Sequence, residues 1–281
     1  LRRKKLALPL FETQEIQIDK ETISRWNVLF AIPCYDQLIS EPTVLSLVKT
    51  MMYFRDHGIK FGLCTITDSL ISRARNNVVA KFMAYNQATH LMFIDADIAW
   101  EPDSIIKLLW HDKEVVTAAY PIKQIDWGKV QENVKAGVSK DLLLENSVRF
   151  VINPVKSSDN RMLKVSNGAI EIFDAGTGFM LIKREVIHEM IKKYPELKYN
   201  DDTNALNDEE KQWTYAFFNS YIDPHLNRFL SEDYGFCRYW QNMGGKIWVE
   251  PSIELTHIGR MKYKGTMMSF IEKHAKVVEE F

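Results

Sequence analysis

His90-Leu91-Met92-Phe93-Ile94-Asp95-Ala96-Asp97 is the stretch on which the fold turns. Its apolar run, Leu91 to Ile94, has the composition of a buried strand, yet it ends in two carboxylates around one alanine. Two acids this close repel each other unless a cation sits beside them. Hard divalent ions such as magnesium and manganese take oxygen ligands of this kind. The competing reading is a solvated loop with two exposed acids. The apolar flanks, Phe93 and Ile94 before the pair and Ile98, Ala99 and Trp100 after it, favour a carboxylate pair set at a strand end.

Upstream, Trp26 to Pro33 (WNVLFAIP) reads as a buried strand closed by proline, with Cys34-Tyr35-Asp36 as its exit loop. Pro42 to Asp56 places Val44, Leu45, Leu47, Val48, Met51 and Met52 at helical spacing, and Gly58 stops the helix. Ile59 to Thr67 predicts a second strand. Ser69 to Tyr85 predicts a second helix with Arg73, Arg75 and Asn76 near its start. Downstream, Glu101-Pro102-Asp103 opens a helix that runs to about Trp110, with proline tolerated in the first turn, and Val115 to Tyr120 is a fourth strand. This alternation predicts an α/β fold with a mostly parallel sheet covered on both faces. Ligands of such sheets bind beyond the carboxyl ends of the strands, where Asp36, Asp68, Asp95 and Asp97 fall.

The second half is less regular. Gln124 to Asn167 is polar, and Ile170 to Phe173 and Phe179 to Ile182 form strand pieces around Gly176-Thr177-Gly178. Glu185 to Tyr194 and Glu232 to Met243 read as helices, residues 195–213 as an acidic mobile loop, Ile247 to Glu250 as a strand, and Ile253 to Gly259 as a strand or loop. One domain is expected, with a nucleotide half over 26–121, an acceptor and catalytic half over 122–260, and terminal arms at 1–25 and 261–281.

A chain of 281 residues with 46% hydrophobic content buries a sizeable core. Its 36 Lys and Arg against 37 Asp and Glu leave a net charge of -1, so the basic surplus expected of a nucleic-acid binder is missing. Cys34, Cys64 and Cys237 are scattered and form no CxxC pair, which argues against a zinc site or a disulfide framework and fits a reduced compartment, the cytoplasm. No run approaches the ~20 apolar residues of a membrane span. Leu1-Arg2-Arg3-Lys4-Lys5 reads as a basic tail, because the apolar part that follows is short and contains Pro9. Nothing in the sequence sets the oligomeric state.

Several further residues carry chemistry, each beside a structural alternative. His257, in Thr256-His257-Ile258-Gly259, is either a hydrogen-bonded core histidine or an imidazole ligand that favours manganese over calcium. Ser231-Glu232-Asp233 opens a helix, so capping competes with a general base; Asp233 is the candidate base and Glu232 the reserve. Arg73, Arg75 and Asn76 are either an ordinary helix surface or a phosphate- and base-reading group. Gly176-Thr177-Gly178 is either a tight turn or a place where backbone approaches a ligand closely. There is neither a G-x-G-x-x-G after the first strand nor a P-loop. Trp100, Trp127, Trp213 and Trp248 could stack on a sugar or base, although core or subsite walls account for most of them.

Taken in order, I-P-C-Y-D, S-R-A-R-N, F-I-D-A-D, G-T-G-F-M-L, S-E-D-Y-G-F and T-H-I-G resemble glycosyltransferases of the GT-A fold over residues 26–260. Among these the chain is similar to enzymes encoded by chloroviruses, large viruses of algae, for which the compartment would be the host cytoplasm. The resemblance implies a Rossmann-like sheet flanked by helices with a smaller acceptor-side sheet. It implies a UDP-sugar donor, with UDP-xylose one candidate, a glycan acceptor, and Mn2+ or Mg2+ as the metal. Pro33, Tyr35 and Asp36 would hold base and ribose, with Arg75, Arg73 and Asn76 along the nucleotide. Asp95, with Ala96 beside it, would contact ribose or donor sugar and share the metal with Asp97 and His257. Gly176, Thr177 and Gly178 would line the donor or acceptor pocket, and Asp233 would be the base of an inverting transfer. A retaining transferase, a nucleotidyltransferase that builds nucleotide sugars, and a non-catalytic binding module are the alternatives. The nucleotidyltransferase is disfavoured because Asp36-Gln37-Leu38 is not a Gly-rich basic loop.

Overall fold

A computed structural model describes residues 18–150, 152–154 and 164–261. The basic tail and nearly all of the 261–281 arm lie outside the described residues. From the arm at 1–25 a short helix α1 (Lys20–Arg25) is seen, capped by Asp19. The chain continues through β1 (Asn27–Cys34), α2 (Glu41–Asp56), β2 (Lys60–Thr67), α3 (Ile71–Ala84) and β3 (His90–Ile94). It then forms β4 (Ile98–Ala99), α4 (Asp103–Trp110), β5 (Val115–Thr117), α5 (Trp127–Lys135), β6 (Ile152–Pro154), β7 (Val165–Ser166), β8 (Ala169–Ala175) and β9 (Phe179–Lys183). Last come α6 (Arg184–Lys193), β10 (Tyr221–Asp223), β11 (Arg228–Leu230), α7 (Glu232–Gln241), β12 (Ile247–Val249) and β13 (Thr256–His257).

Among the described residues nine strands make one sheet in the order β2-β1-β3-β9-β5-β12-β8-β6, with β7 also on β8. β1, β2 and β3 run parallel, as do β5 and β12, while β9 and β8 run against their neighbours. The fold is therefore α/β and Rossmann-like, its sheet mostly parallel in direction, with two reversed strands contributed from beyond residue 121. Two small two-stranded sheets, β10-β11 and β4-β13, stand outside it.

Alternation along β3 shows how both faces are covered. Leu91 and Phe93 join Val78, Val79 and Phe82 of α3, Met190 of α6 and Phe236 of α7. Met92 and Ile94 point the other way, to Leu47 and Phe54 of α2 and Leu108 of α4. All eight residues of β1 are buried, as an interior parallel strand requires.

Helix α2 corrects one sequence expectation. Val44, Leu45, Val48 and Met52 are exposed, and the buried face instead carries Thr43, Ser46, Leu47, Thr50 and Phe54. The hydroxyls can face inward because each finds a partner. Thr43 donates to the Ile98 carbonyl at 2.8 Å, Ser46 accepts from the Trp100 amide at 3.0 Å, and Thr50 accepts from the Trp100 indole at 2.9 Å. A second difference is α5, capped by Asp126 inside the stretch read as irregular. A third is segment 195–213, expected to be a mobile loop. Glu210 pairs with Lys81 of α3 at 3.1 Å, and the Tyr199 hydroxyl donates to Asn77 at 3.1 Å.

Candidate active site

The carboxyl end of β3 sets the site. β1 runs parallel beside β3, with Ala31 opposite Phe93, so the β1 exit and the Asp95-Ala96-Asp97 turn leave the sheet at the same edge. Pro33 is buried in β1, Tyr35 is largely exposed, and Asp36 holds a left-handed φ of 52°, which a short polar residue tolerates. Ala96 fixes the turn to α2 by accepting the Ser40 amide at 2.8 Å.

His257 reaches this turn through backbone pairing. β13 lies antiparallel to β4 with His257 opposite Ile98, and the Ile258 amide donates to the Asp97 carbonyl at 2.8 Å. The His257 Nε2 is 3.3 Å from Asp97 Oδ1, and its Nδ1 is 2.8 Å from the Pro121 carbonyl. A carbonyl only accepts, so Nδ1 carries the proton and Nε2 faces the carboxylate with its lone pair or with a second proton. A lone pair against a carboxylate needs a cation between them, whereas a second proton makes Nε2 a donor to Asp97. Lys123 places its ammonium on the other oxygen of Asp97. Burial works against ionisation of Asp97, but the hydrogen bonds from His257 and Lys123 outweigh it and hold its pKa below the ordinary carboxylate range.

One carboxylate and one correctly oriented imidazole fit manganese or magnesium as a partial shell, which water and diphosphate oxygens would complete. Among the described residues no group of three or more His, Cys, Asp and Glu gathers as a metal site. Asp95, expected to share the metal, turns instead to Arg75.

Arg75 is the link between the two acidic segments. Its side chain is only 5% exposed; it donates to Asp95 at 3.0 Å and to Glu232 at 3.4 Å, and it lies over the Phe93 ring. Burial disfavours its charge, and Asp95 and Glu232 more than restore it. The result is a fixed cation that ties the end of β3 to the start of α7. Among the described residues its buried Nη1 has no protein partner, nor does the Thr177 hydroxyl, so donor capacity remains for a ligand.

Gly176, Thr177 and Gly178 are all buried between β8 and β9, and Gly178 accepts the Asp95 amide at 2.9 Å. A Cβ on Gly178 would lie 2.7 Å from Asp95 Oδ2 and 2.8 Å from the Tyr120 ring. Glycine is required here by close approach and not by a turn conformation. Tyr120, expected at the end of the fourth strand, contacts both parts of the site. Its ring meets His257 edge-on at 5.3 Å, and its hydroxyl accepts the Gly178 amide at 3.4 Å.

Ser231 does not cap α7 with its side chain; its hydroxyl donates to Asp233 instead. Asp233 also accepts the Tyr234 amide at 2.8 Å, so a helix-start role coexists with the proposed chemistry. Burial, and to a lesser degree Glu232, push its pKa up despite the Ser231 hydrogen bond. A raised pKa makes the carboxylate a stronger base than an ordinary aspartate.

Two expected nucleotide contacts are otherwise engaged. Asn76 is buried and exchanges both amide groups with Phe218, donating to its carbonyl at 3.0 Å and accepting its amide at 2.9 Å. It fastens α3 to the segment before β10 and has no edge left to read a base. Arg73 forms a two-point pair with Asp68, both contacts at 2.7 Å. Of the tryptophans, Trp100 and Trp248 are buried in the core and Trp127 is exposed.

No protein-family model and no curated protein matches the chain. Among solved structures, A197 from STIV is 13% identical, with a TM-score of 0.44 over 83% of this chain and 86% of that chain. GalNAc-T7 with UDP, GalNAc and Mn2+ is 13% identical, with a TM-score of 0.43 over 84% of this chain and 44% of that chain. The inositol-1-phosphate CTP transferase from T. maritima is 9% identical, at 0.39 over 84% and 89%. Scores of this size decide neither substrate nor chemistry. Among the described residues no helix is long and apolar enough to cross a membrane.

Proposed function

We propose that the chain is a GT-A-type glycosyltransferase that moves a sugar from a nucleoside diphosphate donor, UDP-linked, to a glycan hydroxyl with inversion. The observation that carries this reading is the joining of two carboxylate segments through one buried cation: Asp95 at the end of β3 and Glu232 at the start of α7 share Arg75. The Asp97–His257 pair stands beside the first segment and Asp233 beside the second.

Asp97 and His257 would hold a divalent ion, with Pro121 keeping the imidazole in the ligating tautomer. Such an ion supplies Lewis-acid neutralisation of the leaving diphosphate. Asp95, oriented by Arg75, would accept from ribose or donor-sugar hydroxyls. Asp233 would take the proton of the acceptor hydroxyl as that oxygen attacks the anomeric carbon opposite the diphosphate, through an oxocarbenium-like state. Residues 26–121 would then serve the nucleotide and 122–260 the acceptor.

The test is release of nucleoside diphosphate from a panel of nucleotide sugars, UDP-xylose included, with Mn2+, with Mg2+ and with chelator. Metal-dependent release from a UDP-sugar is expected, with the product anomer opposite to the donor's. Failure to bind any nucleoside diphosphate in the presence of metal would overturn the enzyme and favour a binding module. A retained anomer would overturn Asp233 as a simple base.

A further inference from the structure

Lys123 has no role in the reading above, yet it is the residue most intimately placed on the metal-binding carboxylate. It lies just after Tyr120 and Pro121, and its ammonium pairs with Asp97 Oδ2 while His257 faces Oδ1. Its aliphatic stem crosses Gly259: a Cβ there would lie 2.9 Å from Lys123 Cδ and 3.1 Å from Cγ. Two independent features thus hold this lysine in place, a carboxylate at its head and a bare glycine backbone under its stem. The pair is partly open, with exposures of 39% for Lys123 and 37% for Asp97, so the ammonium can leave without opening the core.

We infer that Lys123 is a tethered cation that neutralises Asp97 from Oδ2, beside the divalent-ion position at Oδ1 and His257, and so competes with the metal, then passes to the diphosphate when the metal displaces it. This rests on the metal site proposed above. An ammonium on Oδ2 and a divalent ion on Oδ1 of the same carboxylate lie close enough for strong like-charge repulsion. Metal entry therefore breaks the Lys123–Asp97 pair. The displaced ammonium stays anchored over Gly259 at the rim of the site, where a metal-bound diphosphate brings the nearest new negative charge. Without metal, the same ammonium supplies part of the attraction for phosphate, so diphosphate binding falls but does not vanish.

Mn2+ affinity, read by the loss of the free Mn2+ electron paramagnetic resonance signal without nucleotide, separates the possibilities. Lys123→Met is expected to bind Mn2+ about fivefold more tightly than wild type, the order set by a partly exposed ion pair. Gly259→Ala, which pushes a methyl against the Lys123 stem, should shift affinity in the same direction while keeping the charge. In chelator, UDP binding should weaken about tenfold in Lys123→Met. Unchanged or weaker Mn2+ binding in Lys123→Met would overturn the competition. UDP binding that ignores metal in wild type and disappears in Lys123→Met would instead sink the metal reading and leave Lys123 as the cation of the site. Mn2+ binding that survives Asp97→Asn unchanged would place the ion elsewhere and overturn both.

Discussion

The roles proposed for Asp97 and Asp233 are separable by substitution. Asp97→Ala removes the carboxylate that His257 and Lys123 both face. Metal-dependent UDP affinity is expected to fall by at least ~10-fold in a calorimetric titration, as loss of one charged ligand implies. Asp233→Asn keeps the shape and the Tyr234 hydrogen bond but removes the proposed base. UDP binding should be retained while turnover drops by ~100-fold or more. Full transfer in that variant would remove Asp233 from the mechanism. The sign of the pH effect follows from its raised pKa. The base must be ionised, so activity falls as pH drops through a value above the ordinary carboxylate range, and Asp233→Asn loses that limb of the profile. Gly178→Ala probes packing instead of charge. The added methyl has nowhere to go between Asp95 and Tyr120, so a loss of ~1–3 kcal/mol in urea unfolding is expected. UDP binding should weaken with it; wild-type values of both would mean that Asp95 is free to move.

At the scale of elements, α3 is the piece that delivers Arg75, and both its ends are held by side chains from elsewhere. Asp68 accepts the Leu70 amide at 2.9 Å and grips Arg73, securing the first turn although Leu70 offers no cap. At the other end Arg184, the first residue of α6, donates to the carbonyls of Phe82 at 2.6 Å, Met83 at 3.3 Å, Tyr85 at 2.7 Å and Ala88. Carbonyls of a last helical turn have no partner within the helix, and a cation there also opposes the negative end of the helix dipole. Arg184→Met should destabilise by ~2–3 kcal/mol. Hydrogen exchange should quicken in the last turn of α3 and not in α4; equal quickening in both would show a global effect and no cap. Helix α7 is held by a similar device. Arg238 pairs with Asp174 of β8 and Asp223 of β10, both at 3.2 Å, so the helix that carries Glu232 and Asp233 is tied to the sheet by buried charges.

Across the whole molecule, the sheet buries a histidine at the start of one of its interior strands. His90 opens β3, and burial, helped by Lys183, pulls its pKa down to about 4. Free imidazole titrates near ~6.5, so below that pH the unfolded chain takes up a proton that the folded chain refuses. Stability should therefore fall as pH drops from ~6.5 through 4 and level off below, with ~3 kcal/mol from this one group. Urea midpoints measured over that range should fall less steeply in His90→Gln. An identical slope would assign the acid sensitivity to other groups.

The existence of the strands and helices of the first 120 residues was legible because their signals are local, although the buried face of α2 was not: Leu91 to Ile94 needs both faces covered wherever it sits. The carboxylates at strand ends were legible for the same reason, since chain direction in a parallel sheet fixes where loops emerge. Tertiary structure decided the rest. Thr43, Ser46 and Thr50 face inward because Ile98 and Trp100 offer them partners from distant sequence, so the polarity of α2 misleads. Asn76 and Arg73 look like ligand residues until Phe218 and Asp68 claim them. Lys123 and Tyr120 carry no pattern at all; they reach Asp97 and Gly178 only through the folding of β5, β9 and β13 around one sheet edge. The sequence by itself determined which segments bury and which acids stand at their ends, because burial and direction are properties of a local run. Which charges meet depended on long-range packing, because a side chain's partner is set by distance in space and not by spacing along the chain.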